Sequence, residues 1–109
     1  MPRPQESNKN NSQVTTILKA ISNHRRLQIL NELADGEEKS VSELESVVPE
    51  LSQSALSQHL GRLRRANIVK TRRESQSIFY SVHSEEVLRI LKLLTMIYNE
   101  DPILNKTKH

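Results

Sequence analysis

Leu51–Val82 reads LSQSALSQHLGRLRRANIVKTRRESQSIFYSV, one amphipathic helix followed by two short β-prone runs rich in basic residues. Ser52 has the chemistry of a helix N-cap, and Leu56, Leu60 and Leu63 follow at i, i+4 and i+7, the spacing of a single buried stripe. Turning the helix by about 100° per residue from that stripe places Ser54, Gln58, Gly61, Arg62 and Arg65 on the opposite face, with Gln53 and Ser57 on one flank. This outer face is polar and nearly free of acid. A helix of this shape fits a major groove about 12 Å wide, where Gln pairs with adenine, Ser donates or accepts, and Arg addresses guanine or phosphate. Gly61 costs about 1 kcal/mol of helix propensity relative to Ala, which points to a close approach by DNA or a neighbouring helix at that position. Taken alone, the same face also fits an ordinary solvated helix surface.

The residues that follow separate the two readings. Ile68–Arg73 and Ser77–Val82 are β-prone and are joined by Glu74, Ser75 and Gln76, a length suited to a hairpin loop, so they are expected to form a wing. From Ser52 to Ser77 there are six Lys or Arg against one acid, a local +5 in a chain whose total is +3, which leaves −2 for the remainder. Positive charge is thus concentrated in the segment expected to meet phosphate. Phosphate contacts supply salt-dependent affinity and the helix supplies sequence reading. Gln53, Ser54, Ser57 and Gln58 are the candidates for base edges, and Arg62, Arg65, Arg72, Arg73 and Gln76 for phosphate or minor-groove contacts. His59 is expected to donate to phosphate or to pack at the helix edge.

Working outward, Ser12 can cap a first helix bearing Val14, Ile17, Leu18 and Ile21, and after Ser22-Asn23 a second carries Leu27, Ile29, Leu30 and Leu33 before Gly36 ends it. Val41 suits one short strand. Ser42 and Glu45 stand in capping-box spacing and are expected to open a third helix through about Val48, which Pro49 helps to stop. Two helices joined by a short link, with a wing after them, make a winged helix-turn-helix: a mainly α fold with a small β-hairpin. A last helix from Ser84 to about Tyr98 bears Val87, Leu88, Leu91, Leu94 and Tyr98. Its apolar side exceeds what one small interior can absorb, so Val14, Ile17, Leu18, Ile21, Val87, Leu91, Leu94 and Tyr98 are expected to form a two-fold homodimer interface. The alternative is that the first and last helices cover one another in a monomer. Residues 12–100 are then one DNA-binding and dimerisation domain, flanked by a disordered N-terminal tail (1–11) and a flexible C-terminal tail (101–109).

With 109 residues and no cysteine, the chain excludes a disulfide scaffold, thiolate metal ligands and cysteine redox chemistry. Neither a signal peptide nor a long apolar run is present, which leads to the expectation of a cytoplasmic protein. His24, His59, His83 and His109 show no metal-ligand spacing, so no metal and no other cofactor is expected. The two glycines, Gly36 and Gly61, form no phosphate loop, and neither a nucleophile elbow nor a clustered carboxylate pair appears, which disfavours an enzyme. The rival function is a winged-helix adaptor that contacts protein instead of DNA.

LKAISNHRRLQIL at Leu18–Leu30, together with LSQSALSQHL, LRR, TRR and the Ile78-Phe79-Tyr80 run, resembles the ArsR/SmtB family of bacterial repressors, and within it the branch of haemolysin, nodulation and biofilm regulators. The resemblance spans roughly Val14 to Glu100. It implies a dimeric winged helix, with Ser52–Arg65 as recognition helix, that occupies an imperfect palindrome in promoters as a repressor or by displacing a silencing protein. Metal-sensing positions of the family fall on Ser40, Ser84, Glu86, Ile97 and Glu100, and an apolar Ile97 removes one ligand. The redox cysteine pair falls on Asn31 and Asn99, so both sulfurs are absent. The resemblance therefore implies either a constitutive DNA binder or control by dimer concentration, a partner protein or a small ligand.

Overall fold

The structure, a computed structural model, describes residues 12–104, so the expected tail at 1–11 and residues 105–109 lie outside the described residues. Five helices and a three-stranded antiparallel sheet follow in the order α1 (Gln13–Ile21), α2 (His24–Leu33), β1 (Lys39–Ser40), α3 (Val41–Val47), α4 (Gln53–Arg65), β2 (Val69–Glu74), β3 (Ser77–Val82) and α5 (Glu85–Ile97). The sheet order is β1-β3-β2. Helix α2 lies at the centre and packs against α1, α3, α4 and β3. Its Ile29, Leu30 and Leu33 are fully buried beside Leu44 of α3 and Leu56, Leu60 and Leu63 of α4.

Each helix start is fixed by a side chain that takes up an orphan amide. Ser12 accepts from the Thr15 amide at 3.2 Å, Asn23 from Arg25 and Arg26 at 2.9 and 3.0 Å, Ser52 from Ala55 at 3.0 Å and Ser84 from Val87 at 3.1 Å. The third helix corrects the sequence reading. Its capping box is Ser40 with Glu43, not Ser42 with Glu45: the Glu43 amide donates to the Ser40 hydroxyl at 3.2 Å and the Ser40 amide to the Glu43 carboxylate at 2.7 Å. Val41 consequently begins the helix, and the short strand is Lys39–Ser40, paired with Tyr80 and Phe79. Gly36 adopts φ +86° just beyond α2, where its amide donates to the Leu33 carbonyl at 3.2 Å.

Helix α4 ends in a motif the sequence reading did not contain. Asn67 turns left-handed at φ 61°, its amide donates to the Arg64 carbonyl at 2.9 Å, and the Ile68 amide reaches the Leu63 carbonyl at 3.0 Å. This is the Schellman pairing, completed by contact-range burial of Leu63 and Ile68 in one core. The Ile68 carbonyl then accepts from the amides of His83 at 2.7 Å and Ser84 at 3.2 Å, which joins the end of α4 to the base of the hairpin and the start of α5. The hairpin is tighter than expected. Glu74 pairs with Ser77 inside the ladder, Val69 rather than Ile68 begins the strand opposite Val82, and the loop is Ser75-Gln76 with Ser75 at φ 58°.

Three residues assigned to a dimer interface belong instead to the protomer's own core: Ile21, Val87 and Leu91 are 5%, 0% and 1% exposed. Ile17 and Leu94 are half-buried, whereas Val14, Leu18 and Tyr98 are exposed together with Leu93, Met96 and Ile97. Residues 101–104 form a turn. They turn back with Leu104 buried, and the Asn31 side-chain amide donates to the Ile103 carbonyl at 3.3 Å.

Asn67→Gly is expected to keep or raise thermal stability, because glycine enters the left-handed region without penalty, whereas Asn67→Val should cost about 1 to 2 kcal/mol. Chemical denaturation of the two variants checks this. By the same measurement Ser40→Ala should lose roughly 0.5 to 2 kcal/mol, and Ser42→Ala, which caps nothing, should lie within about 0.5 kcal/mol of the parent.

Candidate nucleic-acid interface

Helix α4 rests on three leucines, Leu56, Leu60 and Leu63, each no more than 1% exposed. Ser52, Gln53, Ser54, Ser57, Gln58, Arg62, Arg64 and Arg65 are all exposed on its outer surface. All four candidates for base edges therefore share one accessible face of a helix whose other face is anchored. Its last turn holds Arg62, Arg64 and Arg65, where cations also complement the negative end of the helix dipole. Arg64 is an addition to the residues singled out from the sequence. A Cβ built on Gly61 meets only the flexible end of Arg65, with Nη1 at 3.4 Å, so nothing rigid in the protomer demands a glycine there.

The wing brings Lys70, Arg72, Arg73 and Gln76 to the surface beside this helix, but the two arginines differ. Arg72 is held on every nitrogen of its guanidinium. Its Nε lies 3.1 and 2.9 Å from the two oxygens of Glu38, its Nη2 is 2.8 Å from Glu38 Oε1, and its Nη1 is 2.7 Å from Glu74 Oε1. The guanidinium also lies 4.9 Å from the centroid of Phe79, its cross-strand partner. The hydrogen bonds and charges of Glu38 and Glu74 push the Arg72 pKa up, and those of Arg72 push Glu38 down. Arg72 thus ties the wing to the segment before β1. Arg72 differs in this from Arg73, because a phosphate reaching it would compete with two carboxylates.

His59 is half-buried at the edge of α4 and faces inward. Its Nδ1 lies 3.2 Å from Nη1 of Arg26, a residue of α2 that is itself 6% exposed. Burial lowers the His59 pKa, and the nearby charges of Arg26, Arg62 and Arg25 lower it further. Arg25 is turned towards Glu50, at 3.5 Å, and Gln28, at 3.0 Å. Neither Arg26 nor Glu38 was legible as a site residue, because their partners stand 33 and 34 positions away.

Asn31 and Asn99 line one cavity of about 620 Å³ between α2 and α5 together with Leu88, Leu91, Met96 and Leu104. Asn31 is 7% exposed. No helix among the described residues is long and apolar enough to cross a membrane.

Gly61→Ala is expected to leave the fold intact and to raise helix stability by up to about 1 kcal/mol. If the glycine serves close approach by the duplex, the same change lowers DNA affinity, and paired denaturation and binding titrations separate the two effects.

Comparisons with known proteins agree with this geometry. Residues 23–71 match the bacterial regulatory protein family arsR. The chain is 52% identical over 94 residues to the transcriptional activator HlyU of Vibrio cholerae, covering 86% of this chain and 85% of that protein. It is 46% identical over 100 residues to the nodulation protein NolR of Rhizobium meliloti, covering 92% and 80%. The solved structure of reduced HlyU from Vibrio cholerae superposes with a TM-score of 0.74 over 86% of this chain and 97% of that one. A homodimeric winged helix-turn-helix DNA-binding domain from Mycobacterium bovis, 28% identical, gives a TM-score of 0.74 over 91% and 89%. A recognition helix on a leucine base, a basic wing and relatives aligned along most of their length lead to one assignment: the chain belongs to the ArsR family and is a winged helix-turn-helix transcriptional regulator.

Proposed function

We propose that the protein acts in the cytoplasm as a homodimer that occupies an imperfect palindrome in promoter DNA, placing the two copies of α4 in successive major grooves and the wings on the flanking backbone. The observation that carries this reading is the division of α4 into a fully buried leucine face and an accessible face of Gln, Ser and Arg, continued by the wing. Gln53, Ser54, Ser57 and Gln58 read bases in this reading. Arg62, Arg64, Arg65, Lys70, Arg73 and Gln76 meet phosphate. No catalytic step is involved, since occupancy of the site is itself the regulatory act, by exclusion of polymerase or of a silencing protein.

The dimer is supported by the exposed apolar side chains of α1 and α5. Val14 and Leu18 are 67% and 52% exposed, and Leu93, Met96, Ile97 and Tyr98 lie between 55% and 67%. Large apolar groups grouped on two helices are the usual mark of a protein interface. The Mycobacterium bovis neighbour, a homodimer, supports a two-fold assembly. A two-fold axis through it would hold the recognition helices about one turn of DNA apart, roughly 34 to 36 Å. Control by cysteine oxidation is not open to a chain with no cysteine. We infer that activity is set by dimer concentration, a partner protein or a small ligand rather than by metal.

Selection of bound duplexes from a random library at two salt concentrations tests the reading. Enrichment of a palindrome, with affinity falling steeply as salt rises, is the expected outcome; absence of any binding at low salt would favour the adaptor alternative. On the selected duplex, Gln58→Ala should relax preference at one base position by about 1 to 3 kcal/mol. Arg73→Ala should weaken all sequences alike and reduce the salt slope by about one. Arg72→Ala, whose guanidinium is already held by Glu38 and Glu74, should change the slope less than Arg73→Ala does.

A further inference from the structure

Among the described residues Arg26 is the one lysine or arginine that is buried, and its partners lie on two other helices. Its Nε donates to the Ala20 carbonyl at 2.5 Å and its Nη2 to the Lys19 carbonyl at 3.3 Å, while Nη1 meets His59 Nδ1 at 3.2 Å. Lys19 and Ala20 belong to the last turn of α1, where a helix leaves carbonyls without intrahelical partners. A guanidinium is planar and rigid, so the N–H groups making these three contacts are fixed relative to one another. The end of α1 and the middle of α4 are therefore referred to a single plane carried by the central helix α2.

We propose that Arg26 is a positioning residue that acts through His59 to set the angle between α1 and the DNA-reading helix α4, so that both copies of α4 in a dimer engage the two halves of an operator together. The proposal rests on the homodimeric, DNA-binding reading above and deepens it: α1 carries part of the dimer surface, and Arg26 transmits its placement to the reading head.

The chemistry of the pair sets its working range. Arginine has only donors, so the contact requires Nδ1 to be an acceptor, which it is only in the neutral ring with its proton on Nε2. Arg25 and Arg26 of α2 and Arg62 of α4 are the charged groups acting on His59, with Glu50 placed 3.5 Å from Arg25. All three cations oppose protonation, as does burial, so the neutral state extends below the ordinary value near 6.5. Acidification beyond that point removes the acceptor and adds a cation facing Arg26, which breaks the link.

The test is the ratio of affinities for the palindrome selected above and for the same duplex with one half scrambled, measured for the full-length chain. Charge added or removed at His59 changes both affinities alike, so the ratio reports geometry. His59→Leu, which lacks an acceptor, is expected to lower the ratio by about tenfold, within the range of ordinary inter-site coupling. His59→Asn, whose Oδ1 takes the place of Nδ1, is expected to hold it within about twofold by the same measure. The parent ratio should hold at pH 6.5 and fall only on further acidification, once the lowered His59 pKa is passed, and that of His59→Asn should not fall. Arg26→Lys keeps the charge but not the fork, and should behave as His59→Leu does. A parent that prefers the palindrome while His59→Leu keeps the full preference at every pH overturns the coupling and leaves Arg26 as a local cap of α1. A parent that prefers neither duplex overturns the reading on which the coupling rests.

Discussion

The reversal of the chain at Ala66-Asn67-Ile68 is the constraint from which the DNA-facing half of the molecule takes its shape. At this point α4 must stop, a sheet must start and the core must be closed, all within three residues. The left-handed Asn67 lets the amides of Asn67 and Ile68 satisfy the carbonyls of Arg64 and Leu63, and it drives the Ile68 side chain into the core beneath α4. The Ile68 carbonyl, now pointing away, collects the amides of His83 and Ser84. One residue thereby registers the helix end, the base of the wing and the cap of α5. So short a connection ties the base of the wing to the end of α4, which places a helix and a hairpin side by side against one stretch of duplex.

The last helix shows how a pattern can be right in kind and wrong in allocation. Eight of its positions from Val87 to Ile97 are large and apolar, so its circumference carries more than one stripe. A helix apolar over so wide an arc must be covered from two sides. Sequence alone gives the total but not the division, and Val87 and Leu91 were assigned outward when they in fact complete the protomer's core. The surplus is Leu93, Met96, Ile97 and Tyr98, joined by Val14 and Leu18 of α1. The surplus remains although some of its residues differ from those expected, because it is set by apolar area and not by which residues carry it.

Much of the fold was legible because its signals are local. The leucine stripe of α4 and the caps Ser12 and Ser52 each rest on residues close together in sequence and came through unchanged, and the paired β-prone runs form the expected hairpin with its first strand shifted by one residue. The third helix was displaced because S-x-x-E occurs twice in overlapping registers, at Ser40/Glu43 and Ser42/Glu45, and a two-residue strand is too short to display its period and choose between them. The side chains that hold the site together were illegible for another reason. Arg26 reaches His59 and Arg72 reaches Glu38 across more than thirty positions, and no periodicity encodes such a meeting.

Arg72 also revises what the charge count over Ser52–Ser77 meant. A local excess of basic residues was counted as though each could meet a phosphate, yet charge matters to DNA only where it can approach without first leaving a carboxylate or a core. Arg26, outside the segment counted, is basic and unavailable, held against two carbonyls and the His59 ring. Arg72 sits in the middle of the wing with a carboxylate on each side. What faces outward is a narrower set, Arg62, Arg64 and Arg65 on the last turn of α4 with Lys70 and Arg73 on the strand that follows. That set falls within residues 62–73 and straddles the Asn67 turn, so the same backbone reversal that orients the wing also gathers these cations around the end of the reading helix. Charge, turn and helix end are therefore one feature: the electrostatic surface is a consequence of where the chain is made to bend.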